Sequence, residues 1–129
     1  MPTTQKIRYS DCDPQGIVFN ANFARYWDDA VTDWFEELGF GGTELGGVDV
    51  DVVTARLEID FKAAAKLGDT LVTETVVERI GDTSMTVLVT TSRQSDSQIV
   101  AAGKTIYVFV DPAEFRPIPV PESFREAVS

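Results

Sequence analysis

Phe23-Ala24-Arg25-Tyr26-Trp27-Asp28-Asp29-Ala30-Val31-Thr32-Asp33-Trp34-Phe35-Glu36-Glu37-Leu38-Gly39 is the stretch on which the fold turns. Its apolar residues, Phe23, Tyr26, Trp27, Ala30, Val31, Trp34, Phe35 and Leu38, recur at alternating steps of three and one, the period of one helix face. Asp28, Asp29, Asp33, Glu36 and Glu37 lie mostly off that stripe, so one side of the helix is aromatic and the other is charged. Asn20 or Asn22 can cap the start by accepting from a free backbone N–H, and Gly39 stops the helix. So heavy an apolar face must be covered, and the rest of the chain offers strands to cover it.

Before the helix, residues 5 to 10 read as a short strand ending at Tyr9, and residues 11 to 16 as a loop with Pro14 and Gly16 as turn residues. After it, the segment from Phe40 to Gly47 holds four glycines and reads as a loop. From Val48 onward the period becomes two: Leu57, Ile59 and Phe61 alternate with Arg56, Glu58, Asp60 and Lys62. Lys66-Leu67-Gly68-Asp69 is a turn, and strands follow over residues 70–80, 84–93 and 99–110. They are joined by Gly81-Asp82-Thr83 and by the polar run from Gln94 to Gln98. The tail, with Pro112, Pro117, Pro119 and Pro121, reads as irregular, with a short helix near residues 123–127. The order predicts an α+β architecture: an antiparallel sheet wrapped around one long central helix.

The chain has 129 residues, a length that suits one domain over 1–129 and a real hydrophobic core. A net charge of −10 repels phosphate backbones and argues against a nucleic-acid partner. It also means that an anionic small ligand needs a local basic pocket. Cys12 is the one cysteine, so no intrachain disulfide forms, which fits a reducing compartment. There is no histidine, which removes Ser-His-Asp triads, Cys-His dyads, zinc-histidine sites and histidine-based dehydration. The first residues are followed by no apolar run of the signal-peptide kind, and no stretch approaches a membrane span. The expected location is the cytoplasm, with no metal and no membrane partner.

The segment from Tyr9 to Gly16 lies between a strand end and a helix start. A helix N-terminus offers unpaired N–H groups and partial positive charge that stabilise an oxyanion. A carboxylate beside it, such as Asp13, can attack a carbonyl or activate water. Gly16 lets the backbone approach a ligand closely. The local pattern equally suits a plain Asx-turn, and Asp11 suits a cap or an ion pair. Cys12 lacks a histidine to activate it and reads as a small packing residue. Lys62, Lys66, Arg79, Lys104 and Arg116 are cations available to phosphate, although each alone reads as a solvated surface charge. Of the aromatic stripe, only Phe23 and Tyr26 lie near enough to the helix start to face a ligand.

Tyr9-Ser10-Asp11-Cys12-Asp13-Pro14-Gln15-Gly16-Ile17-Val18-Phe19, followed by Asn22-Phe23-Ala24-Arg25-Tyr26, resembles the opening of the 4-hydroxybenzoyl-CoA thioesterase family of hotdog proteins. Ile59-Asp60-Phe61 with Leu67-Gly68-Asp69, Gly81 with Ser84, and Arg116-Pro117-Ile118-Pro119 resemble later family segments with lower specificity. The resemblance implies a hotdog fold, acyl-CoA thioester hydrolysis without metal or redox cofactor, and dimers, often paired again into tetramers, with sites at the subunit interface. It implies that the second aspartate of D-x-D-x-x-G, here Asp13, is catalytic as nucleophile or general base, with Asn20 beside it where relatives carry His or Tyr. An asparagine donates a hydrogen bond but exchanges no proton near neutral pH. It further implies that Gly16, Ile17, Val18, Phe19 and Phe23 line the substrate. The hairpin at Gly81-Asp82-Thr83 is basic in some relatives and acidic here, so either Lys62, Arg79 or Lys104 holds the CoA phosphates, or the nucleotide is bound loosely, or the acyl carrier is not free CoA.

Three functions follow in order: a thioesterase for an apolar acyl-CoA, aromatic or medium-chain; a thioesterase for an acyl carrier protein; and a non-catalytic acyl-binding hotdog module, since fold alone never guarantees activity.

Overall fold

The long helix, α1 (Asn22–Glu37), buries Phe23, Tyr26, Trp27, Ala30 and Val31. The computed structural model describes residues 2–40, 44–45 and 48–128. α1 ends in a Schellman motif: the Phe40 N–H donates to the Phe35 carbonyl at 2.9 Å and the Gly39 N–H to that of Glu36 at 3.0 Å. Gly39 takes φ +85°, which glycine adopts without Cβ strain.

Against α1 lies an antiparallel five-stranded sheet in the order β1-β5-β6-β7-β4. Its strands are β1 (Thr3–Lys6), β4 (Asp51–Phe61), β5 (Thr70–Ile80), β6 (Ser84–Arg93) and β7 (Ile99–Val110); the short strands β2 (Glu44–Leu45) and β3 (Val48–Asp49) pair with each other. β5, β6 and β7 have the bounds that the alternation predicts. The face of the sheet that carries Leu71, Thr73, Met85, Val87, Val89, Ala101, Tyr107 and Phe109 is buried with the helix stripe. Register shifts at Thr54/Arg56 and Val77/Arg79 insert an extra residue on one side. Such bulges bend strands, and here they help the sheet curl around the helix.

At the middle of the interface, Trp27 Nε1 donates to Thr91 Oγ1 at 2.9 Å, and Thr91 Oγ1 shares a hydrogen with Thr73 Oγ1 at 2.8 Å. All three residues are buried, so this chain satisfies polar atoms that water cannot reach. On β7, Gly103 lies opposite Ile59, and a Cβ there would overlap the Glu58 carbonyl, so only glycine fits this closeness of β4 to β7.

Three expectations need correction. The first strand is Thr3–Lys6, because these residues pair with Thr73 to Thr70; Tyr9–Asp11 is instead a 3-10 turn, closed when the Asp11 carboxylate accepts the Arg8 N–H at 2.8 Å. The helix has Ala21 at its N-cap and no side-chain cap, because the Asn22 amide donates to the Asp11 carbonyl at 2.8 Å. Within the glycine-rich loop, Glu44–Leu45 pairs with Val48–Asp49, while Gly41, Gly42, Gly46 and Gly47 lie outside the described residues. The short helix expected near residues 123–127 is α2 (Glu122–Val128), which inserts Phe124, fully buried against Trp34, Phe35, Phe40 and Phe109 with ring centroids 5.2–6.0 Å away.

Candidate active site

Asp13 stands in a tight loop that returns the chain to the helix start. Its N–H donates to the Ile17 carbonyl and its carbonyl accepts the Gly16 N–H, both at 2.9 Å. Oδ1 accepts the Gln15 N–H at 2.8 Å, an Asx-turn, which leaves Oδ2 without a hydrogen bond among the described residues. Gly16 at φ +78° makes the reversal possible. Bridges between Cys12 and Val18 and between Ile17 and Lys66, with the Val18 N–H on the Ala65 carbonyl at 2.8 Å, fasten the returning segment to the sheet.

The half-buried Asp13 borders a cleft of about 480 Å³ with Tyr9, Cys12, Pro14, Gly16 and Leu67. Tyr9 and Leu67 are exposed on its rim. Cys12 Sγ lies 3.6 Å from the Arg8 carbonyl and packs against the core. A second cleft, about 290 Å³, opens between Ile17, Asn20 and Phe23 on one side and Phe61, Lys62 and Ala63 on the other. Phe23 and Phe61 meet edge to face in its wall, centroids 5.7 Å apart. The strap Gly16–Phe19 therefore separates Asp13 from Asn20, with Phe19 half exposed on it and Val18 buried under it.

The helix start carries backbone N–H groups without an acceptor among the described residues. The Asn22 N–H is taken by the Phe19 carbonyl and the Phe23 N–H by that of Asn20, but the Asn20 and Ala21 N–H groups have no acceptor among the described residues. Both residues are exposed. Two unpaired donors at the positive end of a 16-residue helix are suited to a developing oxyanion.

Asp11 sits beneath this loop and is 4% exposed. Its carboxylate accepts the Arg8 N–H and, at 2.7 Å, Arg25 Nη2; the Arg25 guanidinium also lies 5.2 Å from the centre of the Tyr26 ring. Burial opposes its ionisation, yet the Arg8 N–H, the neighbouring Tyr26 hydroxyl and Arg25 together hold its pKa below the usual carboxylate range. The Tyr26 hydroxyl is buried and falls short of full hydrogen-bond geometry, and burial together with the Asp11 charge pushes its own pKa up. Residue spacing could not reveal the Asp11–Arg25 pair, because 14 positions separate its members and only the fold joins them. Ala21 escapes a sequence reading for another reason: its contribution is a backbone N–H.

Of the cations expected at the CoA phosphates, Lys62 alone shares a cleft with other expected site residues. Lys104 and Arg79 lie on the sheet face turned away from α1, Lys104 with Nζ 3.7 Å from Glu58. Arg79 and Asp82 are near the far end of β5, roughly 30 Å along the strand from Thr70 and the Asp13 loop. There the Asp82 carbonyl accepts the Val120 N–H at 2.8 Å, tying the hairpin to the tail. Among the described residues, no three Cys, Asp or Glu side chains gather as metal ligands, and no helix is long and apolar enough to cross a membrane.

The same architecture recurs in solved thioesterases. A 4-hydroxybenzoyl-CoA thioesterase variant with an aspartate replaced by asparagine, complexed with 4-hydroxybenzoyl-CoA, superposes with a TM-score of 0.90 at 26% identity, covering 100% of this chain and 98% of that one. A gentisyl-coenzyme A thioesterase superposes at 0.88 with 25% identity over 100% of both chains. By sequence, the 4-hydroxybenzoyl-CoA thioesterase of Pseudomonas sp. strain CBS-3 is 30% identical over 135 residues, 97% of this chain and 94% of its own. The acyl-CoA thioester hydrolase YbgC of Escherichia coli O6:H1 is 26% identical over 120 residues, 92% of this chain and 87% of its own. The molecule is a hotdog-fold thioester hydrolase. Residues 7–128 match the family model of the thioesterase-like superfamily, and the chain belongs to that superfamily.

Proposed function

We propose that the chain hydrolyses acyl-CoA thioesters, with Asp13 as the reacting carboxylate and the Asn20 and Ala21 N–H groups as donors to the carbonyl oxygen. The observation that carries this reading is that, among the described residues, a carboxylate with one free oxygen and two N–H groups without an acceptor lie on either side of one short strap. A thioester laid across Gly16–Phe19 turns its carbonyl oxygen to the helix start and its carbonyl carbon to Asp13. As the tetrahedral intermediate forms, the fixed N–H dipoles meet the new negative charge without reorganising. Asp13 either adds to the carbonyl carbon, expels the CoA thiolate and leaves an anhydride that water opens, or takes a proton from the water that adds. Both routes consume water and yield a carboxylic acid and CoA, with no metal or organic cofactor required. The Asn20 side chain supplies a hydrogen bond rather than a proton.

The acyl group is apolar, aromatic or medium-chain, because Ile17, Val18, Phe23, Phe61 and Ala63 border the second cleft. The relatives that act on 4-hydroxybenzoyl-CoA and gentisyl-CoA favour an aromatic one. Lys62, in that cleft, is the cation best placed for a CoA phosphate. The working form is a dimer. β4 is an 11-residue edge strand, and Leu57 and Phe61 stay 41% and 49% exposed on its helix-side face. An edge so long and apolar invites pairing with a second copy. Acyl-CoA substrates and a lone reduced cysteine fit a cytoplasmic setting.

The test is thiol release from a panel of aromatic and medium-chain acyl-CoA esters by wild type and Asp13→Asn. Removing the carboxylate should lower kcat by about 10²–10⁴-fold; equal rates would overturn the assignment.

A further inference from the structure

We infer that Asp11, held by Arg25, is a positioning residue that sets the placement of Asp13 relative to the oxyanion donors. The inference rests on the function proposed above and concerns a residue that makes no contact with the substrate.

Asp11 makes five hydrogen bonds: its N–H donates to the Arg8 carbonyl at 3.0 Å, and the other four close that turn or tie it to the loop end and the helix. The carboxylate takes the Arg8 N–H at 2.8 Å and Arg25 Nη2 at 2.7 Å. The carbonyl takes the Phe19 N–H at 2.9 Å and the Asn22 side-chain amide at 2.8 Å. Phe19 and Asn22 bracket the free N–H groups of Asn20 and Ala21. One carbonyl oxygen thus fixes both sides of the donor pair, and Asp13 follows only two residues later in the chain. The loop between, residues 11 to 19, is closed by the Cys12–Val18 bridge, so its ends cannot drift apart.

Arg25 completes the device. It sits one turn into α1, so its ion pair binds the loop to the helix body as well as to the helix end. The Asp11 side chain is 5% exposed and that of Arg25 is 55% exposed, so the carboxylate is the buried anchor and the guanidinium reaches it from the surface. A carboxylate taken out of water is tolerated only when it is paired and hydrogen-bonded, and both Asp11 oxygens are occupied. The Asp11 carbonyl reaches the two residues that flank the oxyanion donors, and the carboxylate holds that carbonyl in place through Arg8 and Arg25.

The experiment compares Asp11→Asn, Arg25→Ala and Arg25→Lys for kcat and KM per folded molecule, with folding checked by circular dichroism, and repeats Asp11→Asn in an Asp13→Asn background. A small misplacement of reacting groups costs on the order of 10- to 100-fold in rate. Asp11→Asn and Arg25→Ala should therefore lower kcat by about tenfold or more while KM changes less than about threefold. Arg25→Lys should recover part of that loss. In the Asp13→Asn background, Asp11→Asn should change the residual rate by less than about twofold, since nothing remains to be positioned. Unchanged kcat per folded molecule, or an equal loss in both backgrounds, would overturn the inference. If Asp11→Asn fails to fold, the two Arg25 variants decide alone, because that side chain is half exposed. An Asp13→Asn protein as fast as wild type would instead sink the underlying function, an outcome distinct from an inactive Asp13→Asn with an undiminished Asp11→Asn.

Discussion

Replacing Thr91 by Val should destabilise the protein far more than the lost atom suggests. The two side chains have nearly the same shape, so no large cavity opens. What disappears is the hydroxyl that receives Trp27 Nε1–H at 2.9 Å and shares a hydrogen with Thr73 Oγ1 at 2.8 Å. Trp27, Thr91 and Thr73 are 1%, 0% and 3% exposed, so water cannot take over either bond. An indole N–H is a donor only and has no second option. Each buried group left unsatisfied costs about 1–3 kcal/mol, and two such groups together cost about 2–4 kcal/mol after modest relaxation. At roughly 3–4 °C per kcal/mol for a chain of this length, Tm falls by about 6–16 °C. Thr91→Ser supplies the contrast. It keeps the hydroxyl and loses one buried methyl, about 1 kcal/mol, so it should be the milder change although it removes more volume. Differential scanning calorimetry and urea titration of the three proteins give the order, with an unchanged m-value as the check that the unfolded state is the same. If Thr91→Val matched wild type, or proved more stable than Thr91→Ser, the hydrogen-bonded chain would not be what joins the helix to the sheet.

Two further outcomes bear on substrate and assembly. Lys62→Ala should raise KM for an acyl-CoA by about five- to tenfold and leave kcat unchanged, the effect of losing one solvated cation at a phosphate. KM for the matching pantetheine thioester, which lacks the nucleotide, should not move, and an equal rise for both esters would refute the assignment. Light scattering should return at least twice the 14.2 kDa chain mass for wild type, and Leu57→Lys should lower it by placing charge on the β4 edge; a wild-type monomer would remove the argument from that edge.

Much of the site can be read from sequence, because its main parts are local. Asp13, Gly16 and the helix start lie within ten residues, so turn chemistry and helical period are enough to place them together. The resemblance to hotdog thioesterases then separates Asp13 from Asp11. The cap is misread because Asn22 has two uses for its amide, and the Asp11 carbonyl claims it. Sequence sets no order among the candidate cations Lys62, Arg79 and Lys104, because charge alone carries no position. Lys62 is at a strand end beside Asn20, while Arg79 and Lys104 alternate onto the other face of the sheet.

By itself, the sequence determined the long elements: a 3-1 stripe makes one helix face, a period of two makes the long strands, and the missing histidine removes whole classes of chemistry. These are properties of neighbours along the chain, and local sterics and hydrophobic spacing are sufficient to set them. Only the tertiary structure decided that Phe124 closes the core, that Trp27 reaches Thr91 across 64 residues, and that Arg25 holds Asp11 beneath the Asp13 loop. Such contacts form between residues far apart in sequence, brought together by burial of the helix in its sheet, and no local period records them.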